Sequence, residues 1–386
     1  MRGHPRGPLS AAVVHLLSGD DDAAPGELPV LAKSAVATSH DLVADDDVQL
    51  ALHLLYELHY SGNACTPTPS GGRDWEWDPH LLATRGALER AFEEQLRDAH
   101  AWEVPDDPAD VPALLFSMAA ASGGAGPQAV GARRRPGSIA SFVARQATLA
   151  QLREMLVLRS PYQLKEADPQ TFAIPRLRGR AKAALVEIQS DEYGGGRSER
   201  MHQELFARTM RSVQLDDRPN HYLDSVPAVV LAGVNAISMF ALNRRLRGAL
   251  CGHLAAFEMT SSLPAKRYVS GMQRLGLGRD AWLFFDEHVE ADAVHEQIAA
   301  TDLCGGLLDD EPELAADVLL GAAVCLGLDA RVTDHVLSAW TDGRTALRQP
   351  LPAGPPGGAD GARPSLHLLP VDPTMQSDGP AARAVG

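Results

Sequence analysis

Along most of the chain apolar residues return every three or four positions, and the alternation of a half-buried strand is almost absent. That period predicts an all-α protein. The stretch DVQLALHLLYELHY (47–60) reads as one helix and HLLATRGALERAFEEQLRDAHAW (80–102) as another, with a loop, SGNACTPTPSGGRDWEWDP, between them. GGAGPQAVGARRRPG (123–137) has linker composition. From Ser138 to about Trp340 the helical stripes are longer and more apolar. The chain therefore divides into an N-terminal helical region with its linker (1–137), a main domain (138–348) and a tail (349–386). Segments such as PLPAGPPGGADGARPS in that tail bury too little apolar area to offset their ordering entropy, so the tail is expected to be disordered.

The stripe of one helix is interrupted by polar side chains. In HVEADAVH, His288, Asp292 and His295 step by four and then three, which sets them on one face over two turns. Ala281, Phe284, Ala291, Ile298 and Ala299 recur around them and mark that face as buried. A carboxylate buried between two imidazoles is costly unless a cation takes their lone pairs. The competing reading is a His-rich solvated face, or core histidines satisfied by backbone. Further inward-facing donors stand upstream. Glu258 follows Cys251, Leu254 and Ala255 at offsets of seven, four and three, on an apolar stripe. ALVEIQSDEYGGGRSERMHQELF holds one imidazole, His202, among Glu187, Glu192, Glu199 and Glu204. Glu199 stands at the Glu-x-x-His spacing that ferritin-type bundles use twice; here it occurs once, which counts against a ferritin. The triple glycine after Glu192 can bend the chain and turn that carboxylate towards His202, and Glu187 and Glu199 remain alternatives for the same place. Three His with three or more carboxylates and no thiolate suit two iron or manganese ions better than one zinc.

Composition narrows the classes. The 386 residues carry a formal charge of -15 and a pI near 5.3, with ARRRPG as the one short basic run, so no nucleic-acid partner is expected. Cys65, Cys251, Cys304 and Cys325 form no CxxC pair, which fits reduced thiols in the cytoplasm. MRGHPRGPLSAAVVHLLSGDDD lacks a small-residue cleavage site after its apolar run. No charge-free stretch of about 18 apolar residues appears, so no membrane partner is expected. DEYGGGRSERMH follows no predicted strand, which argues against a phosphate cradle.

Taken together these residues resemble the heme-oxygenase-like diiron oxidases and oxygenases, a family of iron-containing redox enzymes. Its last core helix bears His-x3-Asp-x2-His, matched by His288, Asp292 and His295. A Glu on a middle helix is matched by Glu258, a His with an accompanying Glu by His202 with Glu192, and a Glu on the first core helix by Glu166 in RSPYQLKEADPQTFAIPRLRG. The likeness spans about Ser138 to Trp340 and assigns no chemistry to what precedes it. It implies a heme-oxygenase-like helical bundle with an N-terminal helical extension, binding two Fe(II) ions with O2 as co-substrate. His202 and His288 would serve one iron and His295 the other, with Asp292 and the glutamates chelating or bridging. The substrate would be a small organic molecule (an amino acid, amine or fatty acid) of the kind met in specialised metabolism; an external electron donor and a homodimer are compatible with the family. Two other readings compete: a metal-free, thiaminase-like enzyme with a Cys nucleophile, and a non-catalytic helical binding protein.

Overall fold

The computed structural model describes residues 3–18, 25–60, 75–122 and 137–351. Among them there is no strand, and the protein is all-α as its apolar period predicts. The first helices are α1 (Pro8–Leu17), α2 (Leu28–Thr38), α3 (Asp46–Glu57), α4 (Pro79–Ala99) and α5 (Val111–Ser122). They are followed by α6 (Ile139–Arg145), α7 (Leu149–Gln163), α8 (Asp168–Thr171), α9 (Gly179–Glu192) and α10 (His202–Ser212). The long apolar elements come last: α11 (Ala228–Leu242), α12 (Arg247–Arg274), α13 (Arg279–Gln297), α14 (Gly306–Asp310) and α15 (Ala315–Thr341). Ile298–Gly305, between α13 and α14, is π-helical.

The two helices predicted near the N-terminus are α3 and α4, and side-chain caps set where they begin. The Asp45 carboxylate accepts from the backbone N–H groups of Asp47 and Val48, and Asp78 does the same for His80 and Leu81. Most of the expected loop (61–74), most of the linker (123–136) and nearly all of the tail (352–386) lie outside the described residues.

Met1–Leu351 form one compact unit. Within it α3 packs on α1 and α11, and α5 packs on α12 and α15. Buried polar bonds join these parts: Asn235 of α11 donates to the Gln49 backbone carbonyl at 2.9 Å and to its side-chain oxygen at 2.8 Å. Arg6 donates to the carbonyls of Leu223 and Val226. Such bonds matter because a buried polar group without a partner costs about 1–3 kcal/mol.

The position of α12 is set by its contact with α15. A Cβ on Gly252 would lie 1.8 Å from the Val318 carbonyl oxygen, and one on Gly321 would lie 1.8 Å from the Ala249 carbonyl oxygen. The two backbones therefore touch where a side chain on either glycine would hold them apart. On another side α12 packs along α13. The long strut is thus held between two partners, and it carries Glu258 into the interior.

Two core histidines tie stability to pH. His253 of α12 is buried near the rings of Phe240 and Phe257, and burial pushes it down to about 4. Burial also lowers His53 to about 4, against the opposing pull of Glu57. A histidine depressed in the folded state contributes stability that is full above its unfolded value near 6.5 and is lost as pH falls through about 4. Each such shift is worth roughly 3 kcal/mol over that window. Urea unfolding between pH 7 and pH 4 should show a fall in stability that is shallower in His253→Leu; identical slopes for the two proteins would contradict this assignment.

Candidate metal centre

Four separate pieces of backbone bring the donors together. Glu166 lies in the turn after α7. Pro161, inside that helix, cannot donate to the Val157 carbonyl, and the Ser160 hydroxyl takes the place of the missing N–H at 2.8 Å. After Glu166 the chain turns through Ala167, a non-glycine residue in the left-handed region at φ 72°. Glu192 is the last residue of α9 and His202 the first of α10. Gly194, Gly195 and Gly196 between them all have left-handed φ. At Gly194 a Cβ would also stand 2.6 Å from the Arg200 carbonyl carbon, so the returning chain requires glycine there. The reversal brings the Glu192 carboxylate within 2.8 Å of His202 Nδ1. Glu258 comes from α12, and His288 and His295 come from α13 two turns apart.

These side chains fall into two overlapping sets. Glu166, Glu192, His202 and His288 each direct one donor atom into a cluster within 4.8 Å, and Glu192, Glu258 and His295 do the same in a second. All six residues are buried, and Glu192 belongs to both sets. Donors on one first-row ion at roughly 2.0–2.2 Å stand at most about 4.4 Å apart, so a shift of a few tenths of an ångström would seat an ion.

The hydrogen bonding fits a cation. Glu166 Oε2, Glu192 Oε2, His202 Nδ1 and His295 Nδ1 are buried with no hydrogen-bond partner. His202 Nδ1 and Glu192 Oε2 approach closely yet lack the alignment of a hydrogen bond, as expected of two lone pairs aimed at a third point. The outer atoms are meanwhile tied down. His288 Nδ1 lies 2.6 Å from the Phe284 carbonyl, which can only accept, so the proton sits on Nδ1 and the Nε2 lone pair faces Glu166 at 3.7 Å. Gln163 donates to Glu166 Oε1 at 2.9 Å. His295 Nε2 lies 3.1 Å from Asp191, leaving Nδ1 towards Glu258 at 3.6 Å. An oxygen and nitrogen donor set without sulfur suits iron, manganese or zinc.

The same crowding shifts proton affinities. Burial is the largest influence on both Glu166 and Glu192 and pushes each up. At Glu192 the imidazoles, His202 first, outweigh it and hold the carboxyl below its ordinary range, while Glu166 ends above it. For His295 burial acts downward but Glu258, Asp191 and Glu192 overcome it and raise the imidazole to about 9. Without a metal, a proton on His295 thus balances part of the acid charge.

Residues 153–330 match the iron-containing redox enzyme family. No curated protein matches the chain. The matched segment holds every donor described above, whereas α1 to α6 precede the match.

Of the seven residues singled out in the sequence, Glu166, Glu192, His202, Glu258, His288 and His295 are brought together. The side chain of Asp292 lies outside the described residues. Glu187 and Glu199 are exposed, so neither reaches His202 as Glu192 does. Asp191, which orients His295, carries one sequence signal, its place beside Glu192. Cys251 and Cys304 lend no support to thiolate catalysis, since burial pushes Cys251 up to about 12 and also raises Cys304; Cys65 lies outside the described residues. No helix among the described residues is long and apolar enough to cross a membrane.

Proposed function

We propose that the protein is a non-heme diiron oxidase or oxygenase acting with O2 on a small organic substrate. The observation that supports this best is the pair of buried donor sets sharing Glu192, since a carboxylate common to two sets is what a bridged pair of ions requires. Glu166, Glu192, His202 and His288 would hold one iron, and Glu192, Glu258 and His295 the other, with Asp292 as a further candidate. Bound iron would supply the electrons for reaction with O2, which amino-acid side chains supply poorly.

The chain's own contribution is orientation and dryness. The Phe284 carbonyl, Gln163 and Asp191 hold His288, Glu166 and His295 with their lone pairs inward, which limits the reorganisation that ligand binding would otherwise require. Phe284 covers both His288 and His202, at ring-centroid distances of 4.3 and 6.3 Å, and keeps water from that face. An external electron donor would be a partner of the protein under the same proposal.

The test is O2 uptake at an oxygen electrode by protein loaded anaerobically with Fe(II) and freed of excess metal. The wild type and the surface variant Glu204→Gln should consume O2 rapidly, and His288→Ala should not exceed the rate of free Fe(II). Uptake by His288→Ala equal to that of the wild type would remove the basis for the proposal.

A further inference from the structure

Three residues next in sequence to proposed ligands line a single cavity of about 190 Å³: Lys165 beside Glu166, Tyr193 beside Glu192 and Met201 beside His202. Glu57 and Tyr60, at the end of α3 and just beyond it, line it too and lie in the part of the chain that precedes the family match. The cavity is therefore lined by the sequence neighbours of three proposed ligands, and the end of α3, outside the family match, supplies part of its wall.

Its walls carry buried charge. Glu57 Oε1 accepts from the Lys165 ammonium, and Glu57 Oε2 accepts from Asn220 Nδ2 at 2.6 Å. The Asn220 side-chain oxygen meets His53 Nε2 at 2.9 Å, and the Lys165 ammonium lies 4.3 Å from the centroid of the Tyr60 ring. Asp168 also lines the cavity and accepts from the Tyr193 hydroxyl at 2.9 Å. A buried ion pair contributes little to stability compared with a well-packed apolar substitute, so its presence beside a cavity calls for another explanation. Backbone strain marks the same place. Ala167 and Asn220 both have left-handed φ, 72° and 58°, and the turn at Ala167 lets Glu166 face the metal site while Asp168 faces the cavity.

The charges lining the cavity, Glu57 and Asp168 against Lys165, sum to one negative. The volume lies below the roughly 300–1,000 Å³ of pockets for drug-sized ligands. A long acyl chain suits neither the size nor the polarity. We infer that this cavity is the substrate site, and that it takes a small organic ammonium, either an amine or the amino group of an amino acid, with Asp168 as its counter-ion and α3 completing the wall. As a substrate site it rests on the diiron proposal; as a binding site it is measured separately.

The full chain, metal-free and Fe(II)-loaded under anaerobic conditions, is titrated by calorimetry near neutral pH with butylamine, L-lysine and octanoate. At least one of the two amines should bind and octanoate should not. Lysine alone points to an amino acid and butylamine alone to a simple amine. Asp168→Asn should weaken amine binding about tenfold or more, because a charged hydrogen bond is lost, while its iron content stays that of the wild type. Binding of octanoate alone, no binding of either amine, or amine binding unchanged in Asp168→Asn overturns the inference. Iron without amine binding defeats the substrate site alone, whereas amine binding without iron defeats the diiron proposal and leaves the pocket standing.

Discussion

Replacing Glu192 by Ala should leave the protein unable to hold either iron, whereas His295→Ala should still hold about one per chain. The difference follows from the sharing of one carboxylate. Glu192 is common to both donor sets, and without it the first is reduced to Glu166, His202 and His288 and the second to Glu258 and His295. The loss also acts through charge. Glu192 is the carboxyl held below its ordinary range by the surrounding imidazoles, so its removal takes away the anion that best offsets two dications. In His295→Ala the first set stays complete, with Glu166 positioned by Gln163 and His288 by the Phe284 carbonyl. Iron per chain, measured after anaerobic loading and desalting, separates the two variants. Equal iron in Glu192→Ala and His295→Ala would mean that Glu192 does not bridge.

The second large effect belongs to the scaffold. Gly252→Ala should lower stability by roughly 3 kcal/mol or more, because its new methyl group would have to occupy the position of the Val318 carbonyl and the α12–α15 backbones would have to separate. For a chain of this size that corresponds to a fall in melting temperature of several degrees. Gly278→Ala is the control, since a Cβ there meets nothing within 4 Å and its φ of -73° suits any residue. Thermal unfolding followed by circular dichroism compares them. Equal melting temperatures for the two variants would show that the contact between α12 and α15 relaxes at little cost. Separation of these helices should also displace Glu258, so iron content ought to fall together with stability in Gly252→Ala.

How much of this was legible in the chain depends on the range of the interaction. The face of α13 was readable because His288 and His295 are separated by seven positions within an apolar stripe, and helical periodicity is a local property. The inward direction of Glu258 was readable for the same reason. The choice among Glu187, Glu192 and Glu199 was not, because it depends on how three successive left-handed glycines return the chain onto itself. Glu166 had no periodic signal, since it lies in a turn, and only the likeness to a known family pointed to it. Least legible was the cavity. Glu57 and Lys165 are 108 positions apart, and neither segment carries a pattern that announces the other. Asp191 and His295, 104 positions apart, meet in the same unannounced way. Local patterning thus reveals which faces are buried, while pairings across the bundle depend on the packing of whole helices.

Whether the two buried donor sets hold two irons at once is read by an anaerobic titration of the metal-free wild-type protein with Fe(II), followed by calorimetry and by metal analysis of the desalted protein. Saturation is expected at about two Fe per chain, with Glu192→Ala binding none. Saturation at one Fe per chain, or a protein that retains zinc alone and excludes Fe(II), would contradict that expectation.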